Sequence, residues 1–218
     1  MAVMDPIKPT ILSARAIPNV HRDLAAKLGL TEDQRSVGVL TCDIDDSLYV
    51  ALDEATKAAA VDVVYARSFY AGSAHASGPL SGEIIGILAG PDPAEVRAGL
   101  TAAIDYAEQQ AWFHAADEAG DLAFFAHTLA RTGRYLSKEA DVPEGTPLAY
   151  LIAPPTEATI GIDAACKAAE VELKVWFEPP SETNFSGALL AGTQSACRAA
   201  CQAFADAVID VASSPHKF

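Results

Sequence analysis

Fourteen consecutive residues of this chain return 110 positions further on with most of their chemistry intact. Ala51-Leu-Asp-Glu-Ala-Thr-Lys-Ala-Ala-Ala-Val-Asp-Val-Val64 is answered by Gly161-Ile-Asp-Ala-Ala-Cys-Lys-Ala-Ala-Glu-Val-Glu-Leu-Lys174. Asp53, Ala55, Lys57, Ala58, Ala59 and Val61 thereby stand opposite Asp163, Ala165, Lys167, Ala168, Ala169 and Val171. A repeat spaced at about half of 218 residues predicts two copies of one domain, 1–110 and 111–218, each long enough to bury its own core. Twin domains in one chain present two similar outer surfaces, so three such chains in a ring would imitate a sixfold object.

Composition narrows the functions open to such a chain. Half of the residues are hydrophobic and 20% are charged, which excludes a disordered tether and points to extensive burial. The 15 basic and 29 acidic residues leave a formal charge of −14, which repels nucleic acid and anionic membranes and favours cations. Residues 1–10 carry Asp5 and two prolines without an apolar segment, so they read as neither signal nor transit peptide, and no apolar run reaches the length of a membrane span. Cys42, Cys166, Cys197 and Cys201 lack zinc or redox spacing and read as small packed hydrophobes in a reducing cytoplasm.

The apolar periods predict the elements. A strand lies between Pro9 and Asn19, and a short helix runs from His21 to about Leu28 with Gly29 as its stop. Ser36–Cys42 is a buried strand, matched in the second half by Leu148–Ala153. The repeat itself switches from a helical stripe at Ala51, Ala55, Ala58 and Ala59 to a strand period at Val61, Val63 and Tyr65; the second copy switches through Val171, Leu173, Val175 and Phe177. Gly- and Pro-containing loops follow, then apolar strands ending in Ala-Gly at Gly90 and Gly192. A closing helix in each half is opened by Asp92 or Pro93 and by Thr193. Each half reads β, short α, β, α, β, loop, β, α, an α+β sandwich with helices on one face of a mostly antiparallel sheet.

The Asp-x-x-x-Lys-Ala-Ala-x-Val pattern, met from Asp53 to Val61 and again from Asp163 to Val171, resembles the helix-strand signature of bacterial microcompartment shell proteins. Arriving twice, each time behind a strand-helix element, it is similar to their tandem, circularly permuted L-type member associated with ethanolamine utilisation. The likeness extends through Ile7-Lys-Pro9, Val63-Val-Tyr-Ala-Arg-Ser-Phe-Tyr-Ala-Gly72, Gly90-Pro-Asp-Pro-Ala-Glu-Val-Arg-Ala-Gly-Leu100, Ala153-Pro-Pro155 and Pro179-Pro-Ser-Glu-Thr-Asn-Phe185. It implies two tandem permuted ferredoxin-like shell domains in a pseudo-hexameric trimer. Such a trimer would tile with other shell proteins around ethanolamine-degrading enzymes and carry a central pore that opens and closes.

The same resemblance implies a site for ethanolamine at Asp45, Asp46, Glu83, Phe113 and Thr183, with Asn184 and Phe185 alongside. The residues agree in chemistry, because clustered carboxylates hold a small ammonium by charge-assisted hydrogen bonds. The plainer reading is that Asp45 or Asp46 caps a helix starting near Ser47. Trp112 and Phe113 read on their own as packing. The loops Arg67–Pro79 and Glu178–Phe185 would form the gate, with Phe69, Tyr70, Gly72, His75, Thr183 and Asn184 at the pore. The resemblance places Lys57 and Lys167 at the tile edge. His75, His114 and His127 have no metal-ligand spacing, and no nucleophile elbow, phosphate loop or cofactor motif is present in the sequence, so no enzyme, metal or cofactor is expected. The rival reading is a free ferredoxin-like amine sensor or enzyme working through Asp45, Asp46 and Glu83.

Overall fold

The computed structural model describes residues 1–68, 84–179, 181 and 185–216. In chain order the elements begin with β1 (Pro6–Ile7), β2 (Ile11–Ile17), α1 (Arg22–Lys27), β3 (Ser36–Cys42), α2 (Asp45–Ala58), β4 (Asp62–Ser68), β5 (Ile84–Gly90) and α3 (Pro93–Gln109). They continue with β6 (Phe113–Ala115), β7 (Ala123–Leu129), α4 (Arg134–Glu139), β8 (Leu148–Ala153), α5 (Pro155–Ala168), β9 (Val171–Phe177), β10 (Ser186–Gly192) and α6 (Gln194–Ser213). Packing divides the chain into two units. The N-terminal unit comprises 8–111 and 133–136; the C-terminal unit comprises 1–7, 112–132 and 137–218.

In the N-terminal unit four antiparallel strands run in the order β2-β3-β5-β4. The central pair is in register from Ser36 opposite Gly90 to Cys42 opposite Ile84. Alternation along these strands sends Leu40, Cys42, Ile84 and Leu88 into a core closed by Leu48 and Leu52 of α2 and Val96 and Leu100 of α3. Two strand glycines set how closely the helices approach. A Cβ on Gly86 would fall 2.7 Å from a Leu52 methyl, and one on Gly38 would fall 2.8 Å from Leu100 Cγ.

The C-terminal unit repeats this plan and extends it. Its sheet runs β1-β6-β7-β8-β10-β9, all pairs antiparallel, so the matched strands β8 and β10 occupy the places of β3 and β5. Phe124, Leu151, Leu190, Phe204 and Val208 fill its core. The addition is the pair β1 and β6, where Pro6 and Ile7 lie opposite His114 and Phe113.

Helix starts follow the capping residues. Asp92 Oδ1 accepts the amide hydrogens of Ala94 (2.7 Å) and Glu95 (3.0 Å) behind Pro93, and Thr193 Oγ1 accepts that of Ala196 at 3.2 Å. The start of α2 differs from the plainer expectation. The helix begins at Asp45 itself behind Ile44, which makes no side-chain cap, so Asp45 and Asp46 stand in the first turn instead of preceding Ser47. Their charges suit the positive end of the helix. Cys42, Cys197 and Cys201 are buried and Cys166 is exposed, all four as free thiols.

Candidate functional site

The turn after β3 divides its carboxylates between two tasks. Asp43 is structural, since its Oδ1 accepts the Thr10 amide at 2.6 Å and ties the start of β2 to the end of β3. Asp45 and Asp46, in the first turn of α2, are both buried. Asp45 Oδ1 accepts the Asp46 amide at 2.9 Å, and its Oδ2 accepts the Ser68 hydroxyl at 2.8 Å. Ser68 in turn sits 2.7 Å from the Tyr49 hydroxyl, which accepts the Ser68 amide at 3.0 Å. The Tyr49 ring stacks on Tyr135, with centroids 6.3 Å apart. The Tyr49 hydroxyl donates to Ser68 and Ser68 donates to Asp45, a chain polarised toward the carboxylate.

Burial pushes the Asp45 carboxyl up from its ordinary 3.8, against the opposing pull of the Ser68 hydroxyl and the Asp46 amide. A carboxylate so placed gains from a neighbouring cation. The shift also fixes a sign. The folded value lies above the unfolded one, so protonation favours the fold; this contribution is full below 3.8 and is lost as pH rises through the raised value. Asp45→Asn, which cannot ionise, is therefore expected to remove this loss, so that stability gains more, or falls less, between pH 4 and 7 than in wild type. Urea midpoints measured from pH 4 to 7 check it, and an unchanged slope would contradict the assignment.

In the C-terminal unit, Phe113 on β6 stacks between Phe125 (5.1 Å) and Phe185 (6.2 Å). Phe125 continues the aromatic layer to His127 (5.2 Å) and, edge-on, to Tyr150 (5.7 Å), which meets Phe177 at 5.9 Å. Phe113 and Phe185 are thus brought together on one aromatic surface, and Asp45 and Asp46 on one helix turn, each pair within its own unit. Glu83, Thr183, Asn184, Phe69, Tyr70, Gly72 and His75 lie outside the described residues.

The two repeated lysines differ in setting. The Lys57 side chain is mostly buried, paired with Glu54 and 3.8 Å from Asp53, with the Tyr106 ring 6.0 Å away. Lys167 is exposed and pairs with Asp163 at 2.6 Å. Sequence reading missed Ser68 and Tyr49 as partners of Asp45; Ser68 does stand within the segment Val63–Gly72 that carried the resemblance, while Tyr49 had no signal beyond its position four residues after Asp45. Among the described residues no cluster of His, Cys, Asp and Glu is arranged to hold a metal, and no helix is long and apolar enough to cross a membrane.

Comparison with known proteins extends these observations. Residues 36–117 match the BMC domain family. The chain is 56% identical to the bacterial microcompartment shell protein EutL of Clostridium perfringens, over 98% of this chain and 99% of that one. It is 52% identical to EutL of Escherichia coli, over 99% and 98% of the two chains. The crystal structure of the ethanolamine utilization protein EutL from Leptotrichia buccalis superposes with a TM-score of 0.97 at 56% identity, covering both chains completely. The doubled helix-strand module, the near full-length identity and the coincident fold place this chain in the EutL family of bacterial microcompartment shell proteins, which are structural and not enzymatic.

Proposed function

We propose that the chain forms a homotrimer whose two permuted domains, 1–110 and 111–218, give it pseudo-sixfold symmetry, and that the trimers tile with other shell proteins into the wall of an ethanolamine-utilisation microcompartment. Lys57 and Lys167 serve the tile edges. The loops carrying Phe69, Tyr70, Gly72, His75, Thr183 and Asn184 border a central pore that passes or excludes metabolites. Ethanolamine binds at Asp45, Asp46 and Glu83, with Phe113, Thr183, Asn184 and Phe185 completing the site, and biases the pore by binding one loop arrangement better than the other.

The observation that carries the ligand reading is the buried carboxylate pair at the start of α2. Asp45 accepts one hydrogen bond on each oxygen, from Ser68 and Asp46, which leaves further lone pairs for a cation, and burial raises its titration above the ordinary range, the condition in which an ammonium group contributes most. Its partner strand β4 leads from Ser68 directly into the loop assigned to the pore, so occupancy at Asp45 bears on that loop's anchor.

Calorimetric titration with ethanolamine tests it. Asp45→Asn and Glu83→Gln are each expected to weaken binding about tenfold or more, the usual consequence of losing one charged partner, without changing the oligomer. Wild-type affinity is expected to fall on acidification, because protons compete for Asp45 while a primary ammonium stays charged. Full affinity in both variants would remove these carboxylates from the site.

A further inference from the structure

The hydrogen-bond chain behind Asp45 is present in one copy of the repeat and missing from the other, although both copies fold alike. β4 and β9 carry the same irregularity 110 residues apart, where Val64 and Lys174 each stand outside the register of their pair. The places of Asp45, Tyr49 and Ser68 are therefore taken in the second copy by Pro155, Thr159 and Glu178. There α5 opens at Pro155 without a side-chain cap, the Thr159 hydroxyl donates to the Pro155 carbonyl at 2.7 Å, and Glu178 is exposed. The corner of helix and strand thus forms without a relay.

In the first copy the carboxylate end of the relay is buried, with Asp45 9% and Ser68 7% exposed. Ser68 closes two bonds with Tyr49, giving its amide proton to the Tyr49 hydroxyl at 3.0 Å and receiving that hydroxyl's proton at 2.7 Å. β4 is the outer strand of its sheet, and its Ser68 amide takes Tyr49 as acceptor in place of a further strand. The Ser68 hydroxyl proton goes on to Asp45 Oδ2 at 2.8 Å. This order of donors holds only while Asp45 is ionised. A protonated Asp45 keeping the same bond has to donate to Ser68, Ser68 then donates to Tyr49, and the Tyr49 proton is turned out of the chain. The relay therefore favours the carboxylate over the acid and fixes the direction of Oδ2.

We propose that Ser68 and Tyr49 are positioning residues of the cation site: they orient Asp45 and keep it charged, so that an ammonium group meets a fixed carboxylate, and they act on the ligand only through Asp45. The inference rests on the reading above that Asp45 binds ethanolamine, and it adds two residues and the direction of their effect. Among the described residues the other titratable groups around Asp45 are Asp46 and Tyr49 on α2, Tyr135 stacked on Tyr49, Asp43 in the turn before the helix and Cys42 at the end of β3. β4 contributes the Ser68 hydroxyl, since Arg67 alternates to the opposite face of the sheet. Burial raises the Asp45 titration and the Ser68 hydroxyl opposes that rise, so loss of the donor lets protons compete with a cation up to a higher pH.

Calorimetric titration of the full chain with ethanolamine, from about pH 5.5 to 8.5, tests the proposal. Ser68→Ala is expected to weaken binding about tenfold at the acid end, the effect of one hydrogen bond to a charged group, and to approach wild type at the alkaline end, where Asp45 ionises without its donor. Tyr49→Phe keeps the ring and removes the bond one step further back, so the same pH dependence is expected at about threefold; it carries the test even if Ser68→Ala does not fold. In an Asp45→Asn background neither change is expected to alter affinity by more than about twofold. Without ligand, Tyr49→Phe is expected to quicken hydrogen exchange at the Ser68 amide about tenfold, because that amide loses its acceptor. Losses equal at every pH, losses undiminished beside Asp45→Asn, or wild-type binding in both variants would overturn the positioning role while leaving Asp45 in the site. Full affinity in Asp45→Asn alone would overturn the reading of the site and the proposal with it.

Discussion

Asp53→Ala is expected to destabilise the N-terminal unit by about 3–5 kcal/mol, the cost of breaking a buried charged network from one side. The side chain is fully enclosed and accepts the amides of Gly133 and Leu136, two donors of buried residues that the substitution leaves without this acceptor. Urea unfolding reads the loss, and hydrogen exchange at the Gly133 and Leu136 amides localises it. The matched change Asp163→Ala alters a side chain that is largely exposed, so its effect on the unfolding of the isolated chain is expected to stay within about 0.5 kcal/mol. Equal effects at the two positions would show that the difference in burial has no energetic content.

The second large effect belongs to the C-terminal core. Phe204→Ala is expected to cost about 3–5 kcal/mol, the range for removing a buried aromatic ring. Phe204 is wholly buried on α6, and its ring lies against α5 where Gly161 leaves room; a Cβ on Gly161 would come within 2.6 Å of it. Gly161→Ala alone is expected to destabilise by about 1–3 kcal/mol through overpacking. Because the two side chains compete for one space, Gly161→Ala in a Phe204→Leu background is expected to cost less than the sum of the separate changes. Additive losses in thermal or urea unfolding would mean that α5 and α6 relax apart and that Gly161 does not set their approach.

What could be read from the residues alone is what the chain states locally. The repeat placed both helix-strand modules, Asp92 and Thr193 marked the helices they cap, and Ala-Gly marked the ends of β5 and β10. β1 and β6 escaped because two- and three-residue strands carry no period, and because β1 joins a strand more than a hundred residues away. The aromatic layer around Phe113 escaped for a related reason. Phe125, Tyr150 and Phe177 lie on three strands, and only register brings their rings together. Asp53 and Asp163 are indistinguishable as letters in a motif; their opposite burial comes from Gly133–Leu136, a segment whose own residues say nothing of where it packs. In the candidate site, the carboxylates of α2 were legible as an acidic cluster, while the Ser68–Tyr49 relay behind Asp45 required the fold of β4 beside the helix.

Native mass spectrometry of the purified wild-type chain tests most directly whether twin modules close in threes into a shell tile. The expected result is a dominant species of three 22.8 kDa chains that persists on dilution. A dominant monomer or a twofold dimer would contradict it.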